Sequence, residues 1–316
     1  QIAHSIYRTP TKICRIRANS YADHRALFCD DAIPVDVIIS PEKLVTEHII
    51  GLLEYPGTLQ VLNFADGAAQ LIAIKAEAGD KFIGNTLIEI DRMTPKQDAR
   101  VAAIFRADSA IKPERDTVIA PLDEVFYIAA KENILPVMKE LGQLRRPYNR
   151  IMIAGGGNIG LRLAKAIEHQ HSVKIIEHNS SRAEVLSESL DKTIVLNGSA
   201  SDTDLLRSEN IDSIDVFIAL TNDDEANIMS SLLAKKLGAR KVITLITNPA
   251  YVDLVQGEDI DIAFDTDGDD FQLNSFDFKY VLSNLEFFAP FINDQVDDEL
   301  EIDVLNRCES CDGSGS

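Results

Sequence analysis

Residues 150–177 constrain this chain more than any other stretch. Ile151 to Ala154 are apolar and read as a short buried strand, after which Gly155, Gly157 and Gly160 fall in G-x-G-x-x-G spacing. Ile159, Leu163, Ala166 and Ile167 repeat at helical spacing, and Val173 to Ile176 make a second strand closed by Glu177. Gly155 permits the tight strand-to-helix turn, Gly157 lets a pyrophosphate approach the backbone, and Gly160 lets helix and strand pack closely. The N–H groups at the helix start, around Asn158 and Ile159, face the phosphates. Glu177, twenty residues past Gly157, stands where a carboxylate accepts hydrogen bonds from ribose hydroxyls. A glycine pattern alone is weak, but here strand, turn, helix, strand and acid arrive in order. The stretch reads as a dinucleotide-type site.

The pattern continues regularly. Ser181 to Glu184 has the spacing of a capping box, Thr193 to Leu196 reads as a third strand, and Gly198 follows where an adenine edge is met. Asp202 suits the cap of the next helix. Asp215 to Leu220 reads as a fourth strand, with Thr221 and Asn222 at its carboxyl end, where ligands bind in open α/β sheets. Asp223 and Asp224 read as acids favouring a helix N-terminus. Arg182 lies over the adenine or is solvated. The expected fold is α/β, a doubly wound parallel sheet of Rossmann type over residues 150–265.

Two stretches resemble each other. Lys12 to Arg17, then Tyr21, then Val35-Asp36 match Lys241 to Ile246, then Tyr251, then Ile260-Asp261. Ile16 and Ile246 both stand five residues before their tyrosine. Such an internal repeat makes residues 1–55 the closing part of a first Rossmann copy without its glycine-bearing half. Thr11 to Ile16 (with Cys14 in a buried strand) and Val35 to Ile39 are its strands; Tyr21 to Phe28 and Pro41 to Leu53 are its helices. Residues 56–142 change character, with short strands at Gln60 to Phe64, Leu71 to Lys75, Val101 to Phe105 and Asp123 to Ala130. With a hairpin signal at Asp66-Gly67 and a helix from Glu132 to Leu141, they form a small β-rich α+β domain. Residues 143–149 read as an exposed linker and 266–316 as an acidic tail.

The net charge of -20 over 316 residues argues against nucleic acid, which attracts basic surfaces. Thirteen acids against two bases in residues 266–316 supply over half of it. No apolar run approaches the ~18 residues of a membrane span, no signal peptide is evident, and a start at Gln1 suggests a processed chain or a fragment. Cys14, Cys29, Cys308 and Cys311 make no disulfide framework. The single C-x-x-C lacks both the partner pair of a zinc site and the βαβ setting of a redox motif.

Ile151 to Gly160, Asp215 to Asn222, Ala250 to Gly257, Pro56 to Leu62 and Ala99 to Phe105 together resemble the RCK (KTN) family, the cytosolic regulatory modules of potassium transport. The likeness covers roughly residues 5–265. It implies a nucleotide-sensing subunit that binds NAD(H), with ATP or ADP as competitors. It also implies a homo-oligomer at the inner face of the membrane, docked on a membrane-embedded potassium transporter subunit and gating it by conformational change. Two competing readings stand beside it. A nicotinamide dehydrogenase would need a proton-transferring group near the ring, and none of His4, His24, His48, His169, His171 and His178 belongs to an evident substrate pocket. A scaffold without a working ligand site is the other.

Overall fold

The computed structural model describes residues 2–16, 27–28, 32–64, 67–94, 99–107, 109–248, 250–251, 255 and 260–265. The segment expected as a helix from Tyr21 lies almost wholly outside them, as do Asp66, Cys29, Cys308 and Cys311. In chain order, a four-residue helix α1 (Ile2–Ser5), strands β1 (Ile13–Arg15) and β2 (Val37–Ile39) and helix α2 (Pro41–Glu54) open the chain. Next come β3 (Thr58–Phe64), β4 (Ala69–Lys75), α3 (Leu87–Met93), β5 (Arg100–Arg106), β6 (Ser109–Ile111), β7 (Glu124–Ala130) and α4 (Lys131–Glu140). The third group is β8 (Arg150–Ala154), α5 (Asn158–Ile167), β9 (Ser172–Glu177), α6 (Ser180–Ser189), β10 (Ile194–Asn197) and α7 (Thr203–Ser208). It ends with β11 (Val216–Ala219), α8 (Asp224–Lys236), β12 (Lys241–Ile246) and β13 (Ile262–Asp265).

The chain divides into two compact units. Among the described residues, 57–144 belong to one, and 2–56 with 145–265 to the other. In the larger unit six strands run parallel in the order β10-β9-β8-β11-β12-β13. That is the doubly wound order, reversing between β8 and β11. Ile151, Met152, Ile153 and Ala154 are wholly buried, as a central parallel strand covered on both faces requires. Helix α5 buries Gly160, Leu163, Ala164 and Ile167, one stripe at helical spacing; Ala166, expected on that stripe, is exposed because it lies two positions round the helix from Ala164.

The repeat has a geometric counterpart. Strands β1 and β2 pair in parallel with Ile13 opposite Val37, and β12 and β13 with Ile243 opposite Ile262. In the first pair the Lys12 amide donates to Asp36 Oδ2 at 2.6 Å, and in the second the Val242 amide donates to Asp261 Oδ2 at 2.8 Å. Both carboxylates also meet an ammonium, Lys12 in the first copy and Lys235 in the second. The first pair differs from expectation in burial. Cys14 is only partly covered and Ile13 is 63% exposed.

Helix α2 starts at Pro41 behind Ser40, whose side chain makes no cap bond. Its buried face, with Val45, Ile49, Leu52 and Leu53, joins the same core as Leu163, Ile167, Ile151 and Ile153. The first-copy helix therefore packs onto α5. In the smaller unit, five antiparallel strands lie in the order β3-β4-β7-β5-β6. Phe105 meets Phe126 edge-on at 5.6 Å across that sheet, and Thr86 with Glu89 forms a reciprocal capping box at α3.

Candidate functional site

The turn after β8 sits at the reversal point of the sheet. Gly155 has φ +105, a left-handed conformation that glycine adopts without steric cost. Its amide donates to the Ile176 carbonyl at 2.9 Å. A Cβ at this position would lie 3.0 Å from Leu220 carbonyl atoms and from Thr221 Cγ2. Gly157 is the N-cap of α5; it is exposed, and a Cβ there would meet nothing within 4 Å. At Gly160 an added Cβ would lie 2.0 Å from the Gly155 carbonyl oxygen. The three glycines thus differ in purpose: a left-handed turn, an open approach and a close contact. Leu161 is the first amide of α5 with a backbone acceptor behind it, the Gly157 carbonyl at 3.0 Å. The amides of Asn158, Ile159 and Gly160 precede it and are the donors a helix start leaves to outside acceptors. This cradle fits an anion such as a phosphate.

Glu177 is buried behind the turn and already engaged. Its Oε2 accepts from the Gly156 amide at 2.9 Å and its Oε1 from the Asn179 amide at 2.8 Å. Each oxygen retains a lone pair, and the carboxylate braces the turn. Arg182 neither floats in solvent nor stands apart from the glycines: its Nε donates to the Gly156 carbonyl at 2.7 Å and Nη2 to the Gly157 carbonyl at 3.4 Å. The expected capping box at Ser181 is not formed. Helix α6 begins two residues earlier than that box requires, and Asn179 is its cap, accepting from the Arg182 amide. Its short amide side chain reaches that donor from the extended N-cap geometry, whereas Ser181 already lies inside the helix.

Gly198 joins the group through its amide, which donates to the Glu177 carbonyl at 3.0 Å. Thr221 stands across the reversal point, its methyl against Gly155. Its amide and hydroxyl both donate to Asn227 Oδ1, at 2.9 and 2.7 Å. Asn222 beside it is exposed. Asp202 caps α7 and Asp223 caps α8. Asp224 does more than favour a helix start: it is buried and accepts from the amides of Thr247 and Asn248 at 2.9 Å each.

Residues 151–265 match the TrkA-N domain family. The chain carries a TrkA-N domain. Over 263 residues, 83% of its length, the chain is 56% identical to the Trk system potassium uptake protein TrkA of Halomonas elongata. Over 264 residues it is 53% identical to the protein of the same name from Vibrio alginolyticus. It spans 58% of the length of each of these relatives. Among solved structures, the GsuK channel shares the fold with a TM-score of 0.60 at 18% identity, covering 87% of this chain and 46% of that one. A GsuK channel bound to NAD aligns with a TM-score of 0.58 at 18% identity, over 87% of this chain and 46% of that one. No helix among the described residues is long and apolar enough to cross a membrane.

Three supports of the TrkA-N domain escaped the sequence reading. Gly156 is one: a Cβ there would lie 2.2 Å from Leu186 Cδ1 and 2.9 Å from Glu177 Oε2. Asn227 is another, fully buried and donating to the Thr221 and Leu245 carbonyls at 3.0 Å each while accepting from Thr221. All four of its bonding positions are used. The third is the segment entering β8, expected as exposed linker. Tyr148 is buried with the Arg240 guanidinium 5.1 Å above its ring, and Arg240 also donates to the Arg146 carbonyl. The amides of Asn149 and Arg150 donate to Asp215 Oδ2. Burial disfavours the Asp215 charge, but those amides and the nearby Arg240 outweigh it and hold its pKa below the usual carboxylate range.

Proposed function

We propose that this chain is the nucleotide-sensing part of a regulatory subunit of potassium uptake, binding NAD(H) in its TrkA-N domain. The open face at Gly157 carries the reading, because it lies before three unclaimed amides and beside a buried acid at the reversal point. The TrkA names of the relatives support the transport role, and the NAD-bound GsuK channel supports the ligand class. The pyrophosphate is held by the amides of Asn158, Ile159 and Gly160, with Arg182 shaping the turn beneath it. Glu177 takes the adenosine ribose with its remaining lone pairs, beside Gly198, and Thr221 and Asn222 line the far side. A carboxylate at the ribose repels a 2′-phosphate, so NAD(H) is favoured over NADP(H), and ATP or ADP compete through the shared adenosine.

The bound dinucleotide acts as an effector and not as a redox reagent. His169 and His171 follow the far end of α5 from the glycine turn. His178 stands with Nδ1 3.1 Å from Glu177 Oε1, on the adenosine side and away from a nicotinamide. The effector biases a conformational equilibrium by binding one state better, and the partner is a membrane-embedded potassium transporter subunit on whose inner face a homo-oligomer of the subunit sits. Calorimetric titration of the purified chain tests the site. The expected result is one NADH per chain, weaker NADPH, and NADH recovered unchanged. NADPH binding as tightly as NADH refutes the role given to Glu177, and steady NADH consumption refutes the effector reading.

A further inference from the structure

The far end of α5 holds a cluster that nucleotide binding does not use. Glu168 follows the helix directly and is 5% exposed. Its Oε2 accepts from the amides of Asp191, Lys192 and Thr193 at 3.2, 2.9 and 3.1 Å and from the Thr193 hydroxyl at 2.9 Å. Its Oε1 has one long contact, 3.3 Å to the Asp191 amide. One oxygen is therefore saturated while the other keeps lone pairs to give. His169 and Asp191 are exposed beside it. One donor atom from each of Glu168, His169 and Asp191 lies within 4.8 Å of the other two. The four donors on Oε2 explain why Glu168 is buried, but they leave Oε1 facing a second acid and an imidazole that converge on it.

We propose that Glu168, His169 and Asp191 form a binding site for a divalent metal ion of the zinc type, with water completing its coordination. One imidazole and two carboxylates suit zinc, nickel or cobalt, whereas magnesium and calcium prefer oxygen alone. Ligand bonds of about 2.0–2.2 Å put tetrahedral donors roughly 3.4 Å apart. The present spacing closes to that by rotation of the two exposed side chains, with Glu168 standing still. The amides on Oε2 then act as the outer hydrogen bonds that orient a metal-binding carboxylate. The ion pins the end of α5 to the turn between α6 and β10.

The test is zinc titration of the full chain, carrying Cys308→Ser and Cys311→Ser so that the C-x-x-C pair cannot compete. Calorimetry should show one zinc site, reversed by chelator and not replaced by magnesium. Hydrogen exchange at the Asp191, Lys192 and Thr193 amides should slow on loading. His169→Ala and Asp191→Asn, both at exposed positions, should each weaken zinc about tenfold or more while leaving NADH affinity as it was. Equal zinc binding in the His169→Ala/Asp191→Asn double variant overturns the proposal, as does magnesium binding equally well. Zinc binding with unchanged exchange at those three amides also overturns it, because the ion then sits elsewhere.

Discussion

Two alanine substitutions three residues apart in one turn should have opposite signatures. At Gly160 the added Cβ starts 2.0 Å from the Gly155 carbonyl oxygen, whereas ordinary contact begins at 3.4 Å. Backbone must therefore move by about 1.4 Å, the difference between those two distances. Overpacking of this kind costs about 1–3 kcal/mol. For a folding unit of roughly 150–250 residues each kcal/mol lowers Tm by roughly 2–4 °C, so Gly160→Ala should melt several degrees early. It should also lose NADH, because the shift carries the helix start away from the phosphates. At Gly157 the Cβ meets nothing within 4 Å and φ is -64, a value any residue adopts. Gly157→Ala forfeits only a weak N-cap preference, about 1 kcal/mol or less, and should melt close to wild type. Its methyl nevertheless occupies the space a pyrophosphate must enter, so NADH affinity should fall at least about tenfold, or ~1.4 kcal/mol. Scanning fluorimetry and calorimetry on the same preparations separate the two effects. Wild-type NADH affinity in Gly157→Ala would refute the approach path, and a wild-type Tm in Gly160→Ala would refute the forced contact.

Asn227→Ala should cost on the order of 3 kcal/mol by stranding buried amide and carbonyl groups, and should weaken NADH by releasing Thr221; denaturant unfolding and titration read the two separately. Arg182→Ala removes two part-exposed bonds to the turn carbonyls, so Tm should change little while NADH affinity falls severalfold. Stability should also decline in acid. Burial pushes His48 down from 6.5 to about 4, so its neutral ring is matched to the fold above pH 6.5, and stability drains as pH falls from there to about 4. The full gap is worth on the order of 3 kcal/mol. Asp215, held below its ordinary range, adds to the loss as pH falls through its folded pKa. Melting curves from pH 7 to pH 4 should be flatter in His48→Gln than in wild type.

The sheet and its helices were legible because each obeys a local period. The apolar run Ile151 to Ala154 reads as a covered strand, and the stripe read from Ile159, Leu163, Ala166 and Ile167 holds at Leu163 and Ile167 but not at Ala166, whose place in the core Ala164 takes. The repeat was legible down to the aspartates that turn out to accept the same backbone bond. What lay beyond reading was partner choice. The stripe Val45, Ile49, Leu52 says that α2 buries a face, but nothing in it names α5 as the surface covered. Residues 1–55 consequently look separate in sequence, yet their helix shares a core with the TrkA-N domain. Tyr148 is similar: an aromatic beside Arg145, Arg146 and Pro147 reads as linker until Arg240, ninety-two residues later, is placed over its ring.

At the proposed site, the sequence marks the positions assigned to the ligand better than the positions that support them. Gly155, Gly157 and Gly160 follow from the spacing alone. Gly156 fills a free slot in that spacing, and its need appears only when Leu186 and Glu177 are seen behind it. Asn227 reads as a polar residue on a helix, the commonest of surface features, yet it is fully buried and saturated. Glu177 shows the difference best. Its place at the end of β9 marks it for ribose, but the folded protein already uses it to hold Gly156 and Asn179. In the proposed site, a carboxylate given both tasks would make the phosphate turn and the ribose contact mechanically one unit. Loss of the charge should then disturb the turn even without ligand, which Glu177→Gln would reveal as a lower Tm in the nucleotide-free chain, whereas a pure ribose contact would leave that Tm unchanged.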